Sequence, residues 1–190
     1  MARPAWRHAS NTSVAQVWKG TATTTTNGHT YIVTITDDNG DTAAITYTVV
    51  NPPDTTTTLV ATGFITAWNA SLNPLISKFT ATQSSGQVIL TADTAGRPFS
   101  FAASGTGTWS GDANTTESVS NNDYGQATNW STDAVPTSAD DVVLGDGTVA
   151  IKYGLNQSAV TIDEFNVTSG WTGDIGRVED GKLHYLRIDP

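Results

Sequence analysis

The sequence predicts a mainly β protein in two parts. The first is an α+β domain of about five strands with one helix on the sheet; the second is a short β-solenoid-like or β-sandwich-like unit. Three observations predict this. Only 14% of the 190 residues are charged, whereas Thr, Ser, Gly and Asn abound, which suits strands with hydroxyl faces and tight turns. Apolar residues mostly alternate with polar ones, the period of a half-buried strand. One stretch, Asp54 to Ala70, instead repeats them at three- and four-residue spacing.

Taken in order, Met1 to Asn11 has no periodicity and carries Arg3, Arg7, His8 and Trp6 among small residues, so residues 1–13 read as an arm. It is either a frayed terminus or a segment whose Trp6 and Arg7 dock on an acidic neighbour in an assembly. Val14 to Thr21 alternates weakly and can form a first strand, followed by a turn at Asn27-Gly28. The clearest hairpin comes next. Tyr31, Val33 and Ile35 alternate, Asp37 to Asp41 turns the chain, and Ile45, Tyr47 and Val49 resume the alternation. That acidic turn is no calcium loop, because its glycine comes fourth and Thr48 stands where a bidentate Glu is needed.

Asp54 follows two prolines and can cap the helix, whose buried face is expected to carry Leu59, Val60, Phe64, Ile65, Trp68 and Leu72. Thr55 to Thr58 are poor helix formers, so packing must hold the element. Phe79 to Thr82, Val88 to Ala92 and Phe99 to Ala103 are three further strands. The first domain therefore spans residues 14–104. Residues 105–122, rich in Gly, Ser, Thr and Asn around Trp109, read as a linker. In residues 123–190, short apolar strands at Val142 to Leu144, Val149 to Ile151 and Val160 to Val167 are separated by glycine turns, as in stacked coils.

Charge and composition narrow the partners. A net charge of −9 argues against general affinity for nucleic acid or anionic membrane, which needs clustered Lys and Arg. With no cysteine, neither a disulfide scaffold nor a thiolate metal site can form. No apolar run reaches the ~20 residues of a membrane span, and the first residues lack the ~7–15-residue apolar core of a secretory signal.

Two stretches resemble known families. Asp54-Thr55, Trp68-Asn69-Ala70-Ser71, Pro74, Phe79-Thr80-Ala81-Thr82 and the segment Leu90 to Phe99 follow one another as in a small domain of tailed-bacteriophage structural proteins. Asn129-Trp130-Ser131, Val135-Pro136-Thr137 and Asp140-Asp141-Val142-Val143-Leu144 resemble the opening of right-handed parallel β-helices of phage appendages and bacterial adhesins, where a Trp packs over the first coil. A solenoid needs about three repeats to bury a continuous core, and this sequence holds two at most. The stretch Leu183 to Ile188 is therefore expected to be capped, paired with another chain, or a cut end.

Chemistry is sparse. The adjacent carboxylates Asp140-Asp141, Asp163-Glu164 and Glu179-Asp180 point to opposite faces of a strand and make no ready acid–base pair. His8, His29 and His184 are scattered, and no glycine-rich phosphate loop leads into a helix. No catalytic residue, metal ligand or cofactor site is assigned, and no enzyme activity is expected. The candidate contact residues are Trp6, Arg7, Trp109, Trp130 and Trp171, of which the tryptophans are core plugs, subunit contacts or, less favoured, sugar-stacking platforms. The resemblances imply a structural protein of a phage virion: a capsid decoration, head-fibre or tail-appendage component. Its partners would be other virion proteins and, because open strand edges are usually paired, copies of itself, for example in a trimer. The alternatives are a carbohydrate-binding or polysaccharide-cleaving β-helix module and a surface-adhesin fragment.

Overall fold

The computed structural model describes residues 3–7 and 12–189. The chain is mainly β, with one α-helix among the described residues. It divides into two compact units: residues 15–95 with 99–118, and residues up to 14 with 96–98 and the chain from 119 onward.

In the first unit, β1 (Val17–Ala22), β2 (Thr30–Asp37) and β3 (Thr42–Thr48) precede the helix α1 (Thr57–Asn69). After it come β4 (Phe79–Ser84), β5 (Gln87–Ala92), β6 (Phe99–Ser104) and β7 (Trp109–Thr116). The strands form two sheets, β4-β5-β1-β7 and β3-β2-β6, in place of the single five-stranded sheet expected. All the pairings are antiparallel. The hairpin register is the one the alternation implies: Tyr31, Val33 and Ile35 lie opposite Tyr47, Ile45 and Ala43, and the first three are fully buried. Helix α1 touches β3 in one sheet and β4, β5 and β1 in the other, so it serves both sheets and not one face of one.

Three expectations are corrected here. Residues 109–116 form a strand in what read as a linker: they pair with β1, and Gly105 turns the chain towards them at φ 123 against the Thr30 carbonyl, where a side chain would collide. The helix starts at Thr57, because Thr56 Oγ1 accepts from Leu59 N (3.2 Å) while Asp54 is drawn inward to accept from Tyr47 Oη (2.6 Å) and Val50 N (2.8 Å). The buried face is Val60, Ala61, Phe64 and Trp68; Leu59 is exposed, and Leu72 lies past the C-cap at Ala70 and is 97% exposed. Trp68 and Phe79 meet edge to face at 6.2 Å, as do Phe64 and Trp109 at 5.4 Å.

The second unit contains β8 (Asp141–Leu144), β9 (Asn156–Thr161), β10 (Glu164–Val167), β11 (Arg177–Glu179), β12 (Lys182–His184) and β13 (Arg187–Asp189). Its long-range pairing is largely parallel: β8 with β10, β9 with β13, and single bridges Gly147 to Trp171 and Ile151 to Ile175. Val142 pairs 23 residues ahead with Phe165, and Ile151 pairs 24 ahead with Ile175, so the chain passes twice along nearly the same path. Among the strands of this unit only β11 and β12 pair antiparallel, as a hairpin turned by Asp180-Gly181 at positive φ; the single bridges Trp6 to Trp130 and Val14 to Val119 are also antiparallel. The core of this unit is Trp6, Tyr124, Trp130, Val142, Leu144, Ile151, Leu155 and Ile162.

Candidate contact surface

Two features of the second unit bear on function: a segment docked on one side of β8 and an uncovered apolar face around β10. The docked segment is residues 3–7, expected as an arm that is frayed or binds another molecule. It is ordered on its own chain. Ala5 bridges parallel to Val143, and Trp6 bridges antiparallel to Trp130, so the segment fills a strand position between β8 and residues 129–131. Trp6 N donates to Val143 O (2.9 Å), Val143 N to Pro4 O (3.1 Å), Arg7 N to Asn129 O (2.6 Å), and Ser131 N to Ala5 O (2.8 Å). The Trp6 ring is 4% exposed and meets Trp130 edge to face at 4.9 Å. Arg7 reaches Asp133 Oδ1 at 2.5 Å and the Ser131 carbonyl at 2.6 Å, and Arg3 lies 3.9 Å from Asp141. His8 lies outside the described residues.

Trp130 itself is fully buried, with Nε1 donating to the Tyr124 carbonyl at 2.8 Å. Trp109 is half-buried among Trp18, Tyr31 and Phe64, and Trp171 is half-buried against the second core. The structure therefore does not gather the four candidate tryptophans into one exposed platform. Trp6 and Trp130 meet; Trp109 and Trp171 pack elsewhere.

On the other side of β8, β10 has no further strand partner among the described residues. Beside it opens a concavity of about 460 Å³ lined by Ile162, Phe165, Ile175, Tyr185, Leu186 and Ile188, with Asp163 and Glu164 at its wall. Tyr185, which lines it, is 60% exposed, and two further apolar side chains of the same unit face solvent: Val178 is 74% exposed and Leu183 69%. The β11–β12 hairpin that carries Val178 and Leu183 is anchored by ion pairs. Glu179 takes an ion pair from Arg97, which is 4% exposed, and another from Arg177 Nε at 3.0 Å, while the Arg177 guanidinium also lies 5.0 Å from the Tyr153 ring centre. Val178 and Leu183 thus project into solvent from a hairpin anchored by the ion pairs of Glu179.

No family model matches this chain, and no curated protein does. What the surface can do must follow from its own chemistry. Asp140 accepts from Thr137 N and Oγ1, Asp141 faces Arg3, and Glu179 is held by two arginines, so these carboxylates are engaged in structural bonds. Among the described residues, no three His, Cys, Asp or Glu side chains converge as they would around a metal ion. No helix among them is long and apolar enough to cross a membrane. Leu183 and Tyr185 fall in the stretch Leu183 to Ile188 that the sequence marked as needing a cap or a partner, whereas Val178 was missed; the Asp180-Gly181 turn between Val178 and Leu183 was the available signal.

Proposed function

We propose that this chain is a structural component of a tailed-bacteriophage virion, a capsid decoration, head-fibre or tail-appendage protein that works through protein–protein contact. The observation that carries the reading is the apolar concavity beside β10, lined in part by the exposed Tyr185, together with the exposed Val178 and Leu183 of the β11–β12 hairpin. On this reading the two parallel passes are the first coils of a β-solenoid, closed at the arm side and open at the other. An apolar coil end is unstable in water and is covered by a protein surface, which makes assembly the function. The acidic charge and the structural use of the carboxylates are in keeping with this.

The test is a co-sedimentation of the purified protein with empty phage capsids and with isolated tails. Binding to either particle, abolished by Val178→Asp with Leu183→Asp, is the expected result. A protein that binds neither particle and stays monomeric at every soluble concentration refutes the reading.

A further inference from the structure

Resting on the proposed contact reading of the β10 face, and naming the partner chemistry it takes, we infer that the uncovered edge of β10 binds one further extended strand of a partner protein. That strand runs parallel to β10 and carries a Lys or Arg followed by apolar residues at alternate positions.

The pattern is written in the strands already there, because residues 3–7, β8 and β10 stand side by side in one register. Ala5 lies opposite Val143, and Val143 opposite Asn166. Two positions earlier the row holds Arg3, Asp141 and Glu164; one position earlier, Pro4, Val142 and Phe165; one position later, Trp6, Leu144 and Val167. Side chains of one row share a face of the sheet. In the two inward rows Pro4, Val142, Trp6 and Leu144 are buried, whereas Phe165 is half-buried and Val167 is 45% exposed. β8 has a neighbour on both sides and β10 on one, so Phe165 and Val167 each lack an apolar side chain beside them in their row.

Charge fixes the next position. In the outward row Arg3 Nε lies 3.9 Å from Asp141, but Glu164 is exposed, and neither its carboxylate nor that of Asp163 has an ion pair or hydrogen bond among the described residues. A cation on the far side of Glu164 repeats the contact that Arg3 makes with Asp141, and the net charge of −9 draws a basic strand from a distance. The backbone is ready as well. Thr168 N donates to Leu144 O, and bonds to β8 come from every second residue, which leaves the N–H and C=O groups of Phe165 and Val167 directed outward. The pairings of β8 with β10 and of β9 with β13, and the bridge of Ala5 to Val143, are all parallel, so a parallel strand continues the same geometry. Main-chain bonds then supply affinity, while Glu164 and the Phe165 and Val167 rows supply specificity.

Two synthetic peptides, capped at both ends and alike except at one position, test this on the full chain: one contains Lys-Ile-Thr-Val, the other Glu-Ile-Thr-Val. In the inferred register the Lys faces Glu164, the Ile Phe165 and the Val Val167. At millimolar peptide, amide exchange at Phe165 and Val167 is expected to slow about tenfold or more with the Lys peptide, and that peptide should bind about tenfold tighter than the Glu peptide. Glu164→Lys, on an exposed side chain, should reverse the preference, and Glu164→Gln should abolish it. Unchanged exchange at Phe165 and Val167, or a preference indifferent to both variants, overturns the strand site. The outcome is separable from that of the virion reading. Peptide binding in this register by a chain that sediments with neither capsids nor tails supports the strand site and removes only the phage partner, whereas sedimentation that Glu164→Lys leaves untouched, with no peptide binding, removes only the strand site.

Discussion

Replacing Trp6 by Ala should release residues 3–7 without unfolding either unit. The ring buries on the order of 200 Å² of apolar surface, worth about 5 kcal/mol. Three backbone bonds to β8 and Ser131, the Arg7 amide bond and the Ser131 Oγ bond contribute about 1 kcal/mol each. Against these roughly 10 kcal/mol stands the ordering of five residues, about 7 kcal/mol, and the buried Trp6 indole N–H, which has no acceptor and costs about 1 kcal/mol. A docking margin of about 2 kcal/mol remains, and the indole contributes more than that margin. The variant arm therefore undocks. Amide exchange measures this directly: Ser131 and Val143, whose N–H groups donate to Ala5 and Pro4, should exchange about thirty-fold faster or more. Val33 and Leu90, in the core of the other unit, should keep their protection. Unchanged exchange at Ser131 and Val143 would show that the arm is held by something other than its ring.

Four further outcomes follow from the same geometry. Phe64→Ala should cost about 3–5 kcal/mol in urea unfolding, whereas Leu59→Ala, on an exposed side chain, should cost less than about 1 kcal/mol; equal costs would put the wrong face of α1 against the sheets. Burial, reinforced by the hydrogen bond and charge of Asp54, pushes the Tyr47 hydroxyl up to about 12, against about 10 in an unfolded chain. The folded value is the higher, so this contribution is complete below about pH 10 and is lost as pH rises towards 12; Tyr47→Phe should flatten that alkaline limb of a melting-temperature profile. Arg97→Ala removes one charged pair but leaves Glu179 with Arg177, and should cost about 2 kcal/mol, read as a lower melting temperature of the second unit. Incubation with bacterial capsule or lipopolysaccharide should release no reducing ends; release that Asp141→Asn abolishes would replace contact with catalysis.

Local pattern reached as far as local forces did. Alternation and the Asp-Asn-Gly turn locate β2 and β3, and glycine- and serine-rich breaks separate β4, β5 and β6, because each strand carries its own apolar face. β7 has no such face. After Trp109, which packs on the core, its Ser-Gly-Asp-Ala-Asn-Thr-Thr run has no apolar alternation and becomes a strand where β1 offers an edge to pair with. The helix start shows the same limit: Asp54 and Thr56 are both good caps, and the choice falls to the Tyr47 hydroxyl, which comes from a neighbouring strand. The arm is the extreme case. Nothing periodic marks residues 3–7, since a single ring and a parallel bridge across 138 positions fix them.

The parity of the parallel ladder ties the two sides of the second unit together. Residues of a parallel strand send their N–H and C=O alternately to one neighbour and the other. Val143 sends both to the arm, so Val142 and Leu144 face β10, and Thr168 N does bond the Leu144 carbonyl. It follows that Asn166, opposite Val143, turns to β8, while Phe165 and Val167 turn their backbone groups away from it, towards the side where no strand lies among the described residues. The same Phe165 lines the apolar concavity. Unpaired backbone donors and uncovered apolar side chains thus coincide on one edge, and water satisfies only the first of them. On the proposed contact function, the partner that fits such a surface is a strand with its own apolar face, which a folded protein supplies and a small polar ligand does not.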